Sequence, residues 1–260
     1  MRKLFTLVLI GLILSPACAW ATSIGGPLTN GQGKVVLGGE FEYIFARKQK
    51  FDGSSVSNLS VSNPKIEQVI RPTGRLSYGI TDNFDIYTRL GATDYEMWST
   101  PTTVPNIYAD DSNLSSKWGF LYGGGVKAMF DFGNNCLVGI DGQYIRHTAN
   151  ASQTTILLAG GTERITGDIT TQEWHIAPYF GYRIDVPDMW EFVPYVGVKY
   201  SDLLTESKAD VTGNTIKTRS KYLFGVFLGV ECLVMENINV NFEGRFIDET
   251  ALSCALKYKF

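Results

Sequence analysis

Histidine is scarce in this chain, with two residues among 260. Side-chain acid–base chemistry near neutral pH would therefore rest on His147 and His175, with Asp94 and Asp141 as the conceivable partners. Neither histidine brings the further ligands a metal needs, and no cofactor motif is present, so the sequence offers no catalytic residue, no metal site and no cofactor. Gly123-Gly124-Gly125 and Gly160-Gly161 lack the following Lys-Ser/Thr that a phosphate-cradling loop requires. Cysteine is equally sparse. Apart from Cys18 near the N-terminus, Cys136, Cys232 and Cys254 form an odd set without a close-spaced pair, which excludes a disulfide framework. They read as small apolar fillers at outward strand positions. Charge of one sign is lacking too: 23 basic against 26 acidic side chains give a formal net charge of -3, which leaves no footprint for nucleic acid.

Long hydrophobic runs are confined to the first residues. Arg2 and Lys3 precede an apolar stretch over 4–14, and Ala19-Trp20-Ala21 closes it. This is the pattern of a secretory signal peptide over 1–21, too short for a spanning helix and followed within it by Pro16. Cys18 would suit a lipoprotein, but Ser15-Pro16-Ala17 lacks the usual upstream leucine. Beyond Ala21 no run is long enough to cross a bilayer as a helix, so membrane residence over 22–260, a single domain, requires strands.

What the chain does hold is glycine, tyrosine, phenylalanine and tryptophan, at 27, 13, 15 and 5 residues, arranged with a period of two. Alternating segments fall at 33–47, 66–80, 84–95, 118–131, 136–147, 172–184, 191–203, 221–234, 238–247 and 250–260. In the first, Val35, Leu37, Phe41, Tyr43 and Phe45 oppose Glu40 and Glu42; in the second, Ile70, Leu76, Tyr78 and Ile80 oppose Glu67, Arg71 and Arg75. Short turns at 81–83, 132–135, 185–190, 235–237 and 248–249 contrast with polar loops at 48–65, 96–117, 148–171 and 204–220. The spacing predicts an all-β, antiparallel up-and-down transmembrane barrel of about ten strands, with eight as the alternative. Trp118, Tyr144, Trp174, Tyr200 and Tyr222 fall at the loop ends of the apolar faces, and Tyr78, Phe84, Phe130, Tyr182, Tyr258 and Phe260 at the turn ends. Two aromatic girdles are what two lipid interfaces select, and a soluble sandwich needs neither.

The opposite faces carry charge. Glu40, Glu42, Glu67, Asp85, Asp131, Asp141, Glu173, Glu191, Glu231 and Glu243 are expected inside, among Arg71, Arg75, Arg89, Lys127, Arg183, Lys199, Arg245, Lys257 and Lys259. Their signs nearly cancel, so they should interlock across the lumen or line a narrow water column, whereas a charge-selective pore would show one dominant sign. The expected role is structural or surface-interactive, through the loops and an extracellular ligand of unknown kind. A narrow small-solute channel is the alternative and an outer-membrane hydrolase the third reading. Bacterial outer-membrane lipid and lipopolysaccharide are the expected partners.

The terminal stretch ALSCALKYKF, with Leu256, Tyr258 and Phe260 at alternate positions, resembles the C-terminal strand signature of Gram-negative outer-membrane proteins. The stretch LSYGITDNFDIYTRLG is similar to strand-turn-strand hairpins of OmpA-like and opacity-protein-like barrels. The resemblance implies that Tyr258 and Phe260 form the signal read by the barrel-assembly machinery. No stretch resembles an omptin active-site motif. Deleting Phe260 should reduce the heat-modifiable, membrane-embedded form while export continues, and Lys259→Ala should assemble nearly normally. Fractionation followed by unheated gel electrophoresis decides this, and unchanged assembly without Phe260 would remove the terminal signal from consideration.

Overall fold

The structure, a computed structural model, describes residues 23–55, 60–102, 109–157, 162–186, 190–209 and 214–260. The expected signal peptide, 1–21, lies outside the described residues. Thirteen strands follow in chain order: β1 (Val35–Ser54), β2 (Ser60–Thr81), β3 (Phe84–Thr102), β4 (Ala109–Ser116), β5 (Gly119–Asp131), β6 (Cys136–Leu157), β7 (Thr162–Tyr182), β8 (Ile184–Val186), β9 (Trp190–Ala209), β10 (Thr215–Ser220), β11 (Phe224–Met235), β12 (Ile238–Phe246) and β13 (Glu249–Lys259).

All ladders are antiparallel, and β1 pairs with both β2 and β13, so the sheet closes on itself. β4 and β5 occupy one position between β3 and β6. β7 and β8 share another beside β9, and β10 and β11 share a third on its other side. Ten positions therefore ring the barrel. Closure satisfies every strand edge internally, which hydrocarbon demands because no water is there to bond a free edge. Both ends of the described chain lie on the side of the short turns, and the amide of Phe260 donates to the Val35 carbonyl at 2.9 Å.

Outside, the alternation holds as the sequence predicts. Leu37, Phe41, Leu76, Ile86, Leu90, Val126, Ile140, Ile176, Val196, Leu228 and Leu256 are exposed apolar side chains on a closed wall. Trp118, Tyr144, Trp174 and Tyr222 mark one rim and Tyr78, Phe130, Tyr182, Tyr258 and Phe260 the other. Trp174 packs on Tyr200 at 5.4 Å and Tyr200 on Phe224 at 4.9 Å, measured between ring centroids. The turn at 132–135 forms as expected, with Gly133, Asn134 and Asn135 at positive φ, where glycine and asparagine strain least.

Four expectations are corrected. The polar segments at 48–65, 96–117, 148–171 and 204–220 are largely strand: β1, β3, β6 and β9 run on to Ser54, Thr102, Leu157 and Ala209. Polarity there reports water on the outer face, and a ladder bonds the backbone regardless of side chain. At this end the β12–β13 hairpin stops short, and β10 pairs directly with β1 above it, from Gln49 opposite Ser220 to Ser54 opposite Ile216. The second correction concerns facing. Register shifts between Ile44 and Ala46, and between Ile66 and Gln68, insert one residue each. Beyond each bulge the inward parity flips, so Arg47 and Gln49 turn in, while Glu67 turns out to meet Lys65 at 3.4 Å. Third, Cys232 is buried on a wall where outward exposure was expected; Cys136 and Cys254 are half-exposed, and all three are free thiols. Fourth, the tight turn expected at Asp248 and Glu249 places both side chains inside, where they are buried.

Ile140 and Leu228 lie midway along the lipid-facing stretches of β6 and β11. Replacing either by Arg should cost about 2 to 4 kcal/mol, the price of a charge at the bilayer midplane. Asn150→Arg, exposed on the extracellular extension of β6, should be nearly silent. Urea unfolding from lipid vesicles checks both, and equal effects would contradict the placement of the membrane.

Candidate functional site: the filled lumen

Among the described residues the buried interior groups fall in three layers. The lowest is built by the segment before β1, which enters the barrel from the turn side. Ile24 is buried against Ala177, Tyr179, Tyr195 and Phe227, and Leu28 packs on Met129, Leu137 and Val193. Its backbone is hydrogen-bonded to the wall at almost every residue. The Lys257 ammonium donates to the Gly25 carbonyl at 2.6 Å, Lys127 donates to the Gly26 carbonyl, and the Tyr179 hydroxyl donates to that of Pro27 at 2.8 Å. The Leu28 amide donates to Glu231 at 3.1 Å and the Asn30 amide to Asp85 at 3.0 Å. Only glycine fits at two of these places. Gly25 and Gly26 have φ of 72° and 86°, and a Cβ would stand 1.9 Å from Arg75 or 2.3 Å from Glu231.

Above it lies a belt of charge. Arg75 and Arg89 both pair with Glu40, and Arg75 also stacks 3.6 Å over the Tyr87 ring. The Tyr87 hydroxyl donates to Asp141 at 2.9 Å, and His175 Nε2 lies 3.1 Å from the same carboxylate. Higher still, Arg47 on β1 meets Glu173 on β7 at 2.5 Å. At this level the wall runs from β1 through β10 and β9 to β7, so the pair joins strands that are not neighbours, three positions apart across the lumen. Arg71 joins Glu173 at 3.0 Å to Glu42 at 3.2 Å, and Arg245 reaches Glu42 at 3.4 Å and Glu249 at 2.7 Å. Lys199 closes the circuit with Asp248 at 2.8 Å and Glu249 at 2.5 Å. Ser201 and Ser220 accept hydrogen bonds from Arg47 Nη2 at 3.1 Å. All these side chains are buried, so each charge depends on its partners rather than on water.

The uppermost layer is apolar. Ile44, Ile66, Val69, Tyr95, Met97, Leu114, Ala149, Ala151, Ile169, Leu203 and Ala251 form one buried cluster inside the extracellular half of the ring. Tyr95 keeps its hydroxyl within 3.2 Å of Thr205. His147 is buried beside this layer, with Nδ1 3.4 Å from the Thr171 hydroxyl.

Of the residues expected inside, Glu40, Glu42, Arg71, Arg75, Asp85, Arg89, Lys127, Asp141, Glu173, Lys199, Glu231, Glu243, Arg245 and Lys257 are buried in the lumen. Arg183 is not among them. It is partly exposed at the turn-side rim, where it pairs with Asp131 at 3.2 Å and Glu191 at 2.6 Å, because β7 has already left the membrane there. Sequence reasoning missed Arg47, Asp248 and Glu249. A strict period of two sends Arg47 outward, and no residue type in 41–47 announces the bulge that reverses it. Asp248 and Glu249 look like turn residues, and they turn inward behind Ile247, whose φ of 84° is a strained value for a β-branched side chain.

A closed antiparallel ring with an apolar girdled exterior and both chain ends on one side defines an integral outer-membrane β-barrel. The chain belongs to the outer membrane protein beta-barrel domain family, whose pattern matches residues 101–260. The match is to the broad family and does not single out the OmpA-like branch. No curated protein matches the sequence. Among solved structures the fold is similar to the outer membrane protease OmpT of Escherichia coli, with a TM-score of 0.52, 11% identity, and coverage of 92% of this chain and 100% of that one. Looser likenesses include the CymD monoaromatic hydrocarbon channel, with a TM-score of 0.40, 11% identity, and coverage of 94% and 98%. Another is the outer membrane protein OprG of Pseudomonas aeruginosa, with a TM-score of 0.34, 13% identity, and coverage of 89% and 97%. At such identities the likeness extends to the fold alone, and the bacterial outer membrane is where this chain resides.

The Arg47 to Glu173 pair gives a direct test. Arg47→Met removes one partner of two buried carboxylates and should cost about 3 to 5 kcal/mol. Lys65→Met, which breaks the exposed pair with Glu67, should cost less than about 1 kcal/mol. Urea midpoints of the two variants in the same vesicles measure the contrast, and similar midpoints would show that the belt does not hold the barrel together.

Proposed function

We propose that this protein is a closed, non-enzymatic barrel that works through its extracellular rim as a structural or surface-interaction protein, exported by a cleaved signal peptide over 1–21. The observation that carries the reading is the buried Arg47 to Glu173 contact between strands that are not neighbours, with a packed segment below it and an apolar core above. A small-solute pore needs a continuous wet path lined by groups that bind the solute weakly. Here the inward carboxylates and cations of the belt are paired with one another.

The same filling argues against a hydrolase. His175 and His147 are buried, and His175 is held by Asp141 in a site already roofed by Tyr87 and Gln143. A general base needs a proton within reach on a bound substrate, and the packed upper layer leaves no approach for one. What remains available is the outer surface of the extended strands, a stiff β-wall standing above the bilayer. Its insertion by the barrel-assembly machinery through Tyr258 and Phe260 belongs to the same proposal. Those rings pack edge to face at 4.9 Å on the turn-side rim.

Planar-bilayer recording of the refolded chain is the test. The expected record is silent at all moderate voltages. Stable, reproducible ion steps would overturn the closed reading in favour of a channel.

A further inference from the structure

The outer face just above the extracellular girdle carries cations that the lumen does not use. Beyond the bulge in β1, Lys48 and Lys50 point outward and are exposed. β10 runs alongside, with Lys50 opposite Arg219, and the Lys221 amide donates to the Lys48 carbonyl at 3.0 Å. Lys65 lies opposite Lys48 on the other flank. Three of the neighbouring cations have carboxylates of their own: Lys65 with Glu67 at 3.4 Å, Lys217 with Glu206 at 3.3 Å and Arg219 with Asp202 at 3.2 Å. Lys48, Lys50 and Lys221 make no ion pair among the described residues.

Lys48 and Lys50 stand two residues apart on β1, and Lys221, directly after β10, is bonded to Lys48 through the backbone, so three unneutralised ammonium groups are brought together and repel one another. The arrangement is relieved by an anion lying across them. Its depth says which anion. On the membrane side of the lysines stand Tyr43 and Phe45, 4.7 Å apart between ring centroids, and the exposed Tyr222 and Phe224. Aromatic rings of this kind mark the boundary of the hydrocarbon; Lys48 and Lys50 stand three and five residues beyond Phe45 and Lys221 one residue beyond Tyr222, and such lysines reach the headgroup level. The short turns at the other rim and the long extended strands at this one fix it as the extracellular rim, so the headgroups are those of the outer leaflet.

We infer that Lys48, Lys50 and Lys221 form a binding site for the phosphate groups of a bisphosphorylated glycolipid of the outer leaflet, whose acyl chains lie on the aromatic rings below. The inference rests on the membrane placement of the barrel and not on the closed lumen, so a conducting protein would leave it intact. Arg219 and Lys217 flank the site and keep it basic even where their own carboxylates hold them. The site takes two phosphates because its cations spread along two strands rather than converging on one point.

The experiment uses the full chain refolded in detergent micelles and titrated with bisphosphorylated lipid A, with phosphate-free lipid A and with phosphatidylglycerol, bound lipid being read by native mass spectrometry. Folding of each variant is verified by unheated gel mobility. The K48Q/K50Q/K221Q protein should bind bisphosphorylated lipid A at least about tenfold more weakly, since each basic side chain at an anionic lipid surface contributes on the order of a fivefold gain. K34Q/K117Q/K259Q, with the same change in charge elsewhere, should bind as the parent does. K48R/K50R/K221R should retain binding, and K50Q alone should lose part of it, which keeps the test decisive if the triple glutamine variant misfolds. Equal binding by the parent and the triple glutamine variant would overturn the proposal. So would equal binding of the phosphate-free lipid, or phosphatidylglycerol binding as tightly as the bisphosphorylated lipid, which would reduce the patch to general attraction for anionic surfaces.

Discussion

A charge taken out of water must find its opposite, and the interior of this barrel is organised by that requirement. Arg47 and Glu173 meet at 2.5 Å from strands that are not neighbours, and neither has solvent to fall back on. Desolvation of such a pair consumes most of its attraction, so its geometry holds only where further groups complete the hydrogen bonding. Each completing group is itself buried and calls for another. Glu173 draws in Arg71, Arg71 draws in Glu42, Glu42 draws in Arg245, and Arg245 shares Glu249 with Lys199 and Arg47. The circuit runs through β1, β2, β7, β9, β12 and β13, and so ties distant strands that the backbone ladder does not connect.

The layers above and below follow from the same economy of solvent. At the extracellular end the ring narrows, because β10 pairs with β1 over the short β12–β13 hairpin and two positions drop out. A narrower tube is filled by side chains alone, and there the inward residues become Ile44, Ile66, Val69, Tyr95 and Leu203, as in the core of a soluble protein. At the turn end the ring keeps all ten positions, and side chains no longer meet across it. The segment around Ile24 fills that space and supplies carbonyls to Lys127 and Lys257 and amides to Glu231 and Asp85. The lower cations are thus neutralised partly by backbone dipoles, which is why this part of the lumen can hold a chain segment in place of a second complete circuit of ion pairs.

The outer face was legible in the sequence because lipid imposes it residue by residue. Leu76, Ile86, Val126, Ile140 and Leu256 are apolar wherever hydrocarbon is, and the girdles appear at both ends of the alternation. Most of the inner charges were legible as the complement of that face. Illegible were the features set by pairing between strands. Whether 48–54 continues β1 depends on whether β10 is there to bond it, and polar composition carries no information on that point. A bulge costs one residue of register and leaves no compositional mark, so Glu67 was placed on the wrong side and Arg47 was not recognised as a lumen residue. Occupation of the lumen by residues 23–28 was hidden for a similar reason, since nothing in the stretch around Gly25 and Gly26 announces the arginine and glutamate that enclose it.

The bulge at Phe45 decides both faces at once. Below it the even-numbered residues Glu40, Glu42 and Ile44 face inward. Were that parity to continue, Lys48 and Lys50 would enter the ring at the level of the apolar core, and Arg47 would lie on the aromatic girdle. Two ammonium groups would then be buried among Ile66, Val69 and Tyr95 without carboxylates, and Glu173 would lose Arg47 as a partner. One inserted residue reverses this. It gives the lumen a cation that joins Arg71 on Glu173 and gives the outer surface the two lysines that face the headgroups. The closed interior and the basic exterior are therefore not separate properties of the barrel: the register shift that makes the first possible also creates the second.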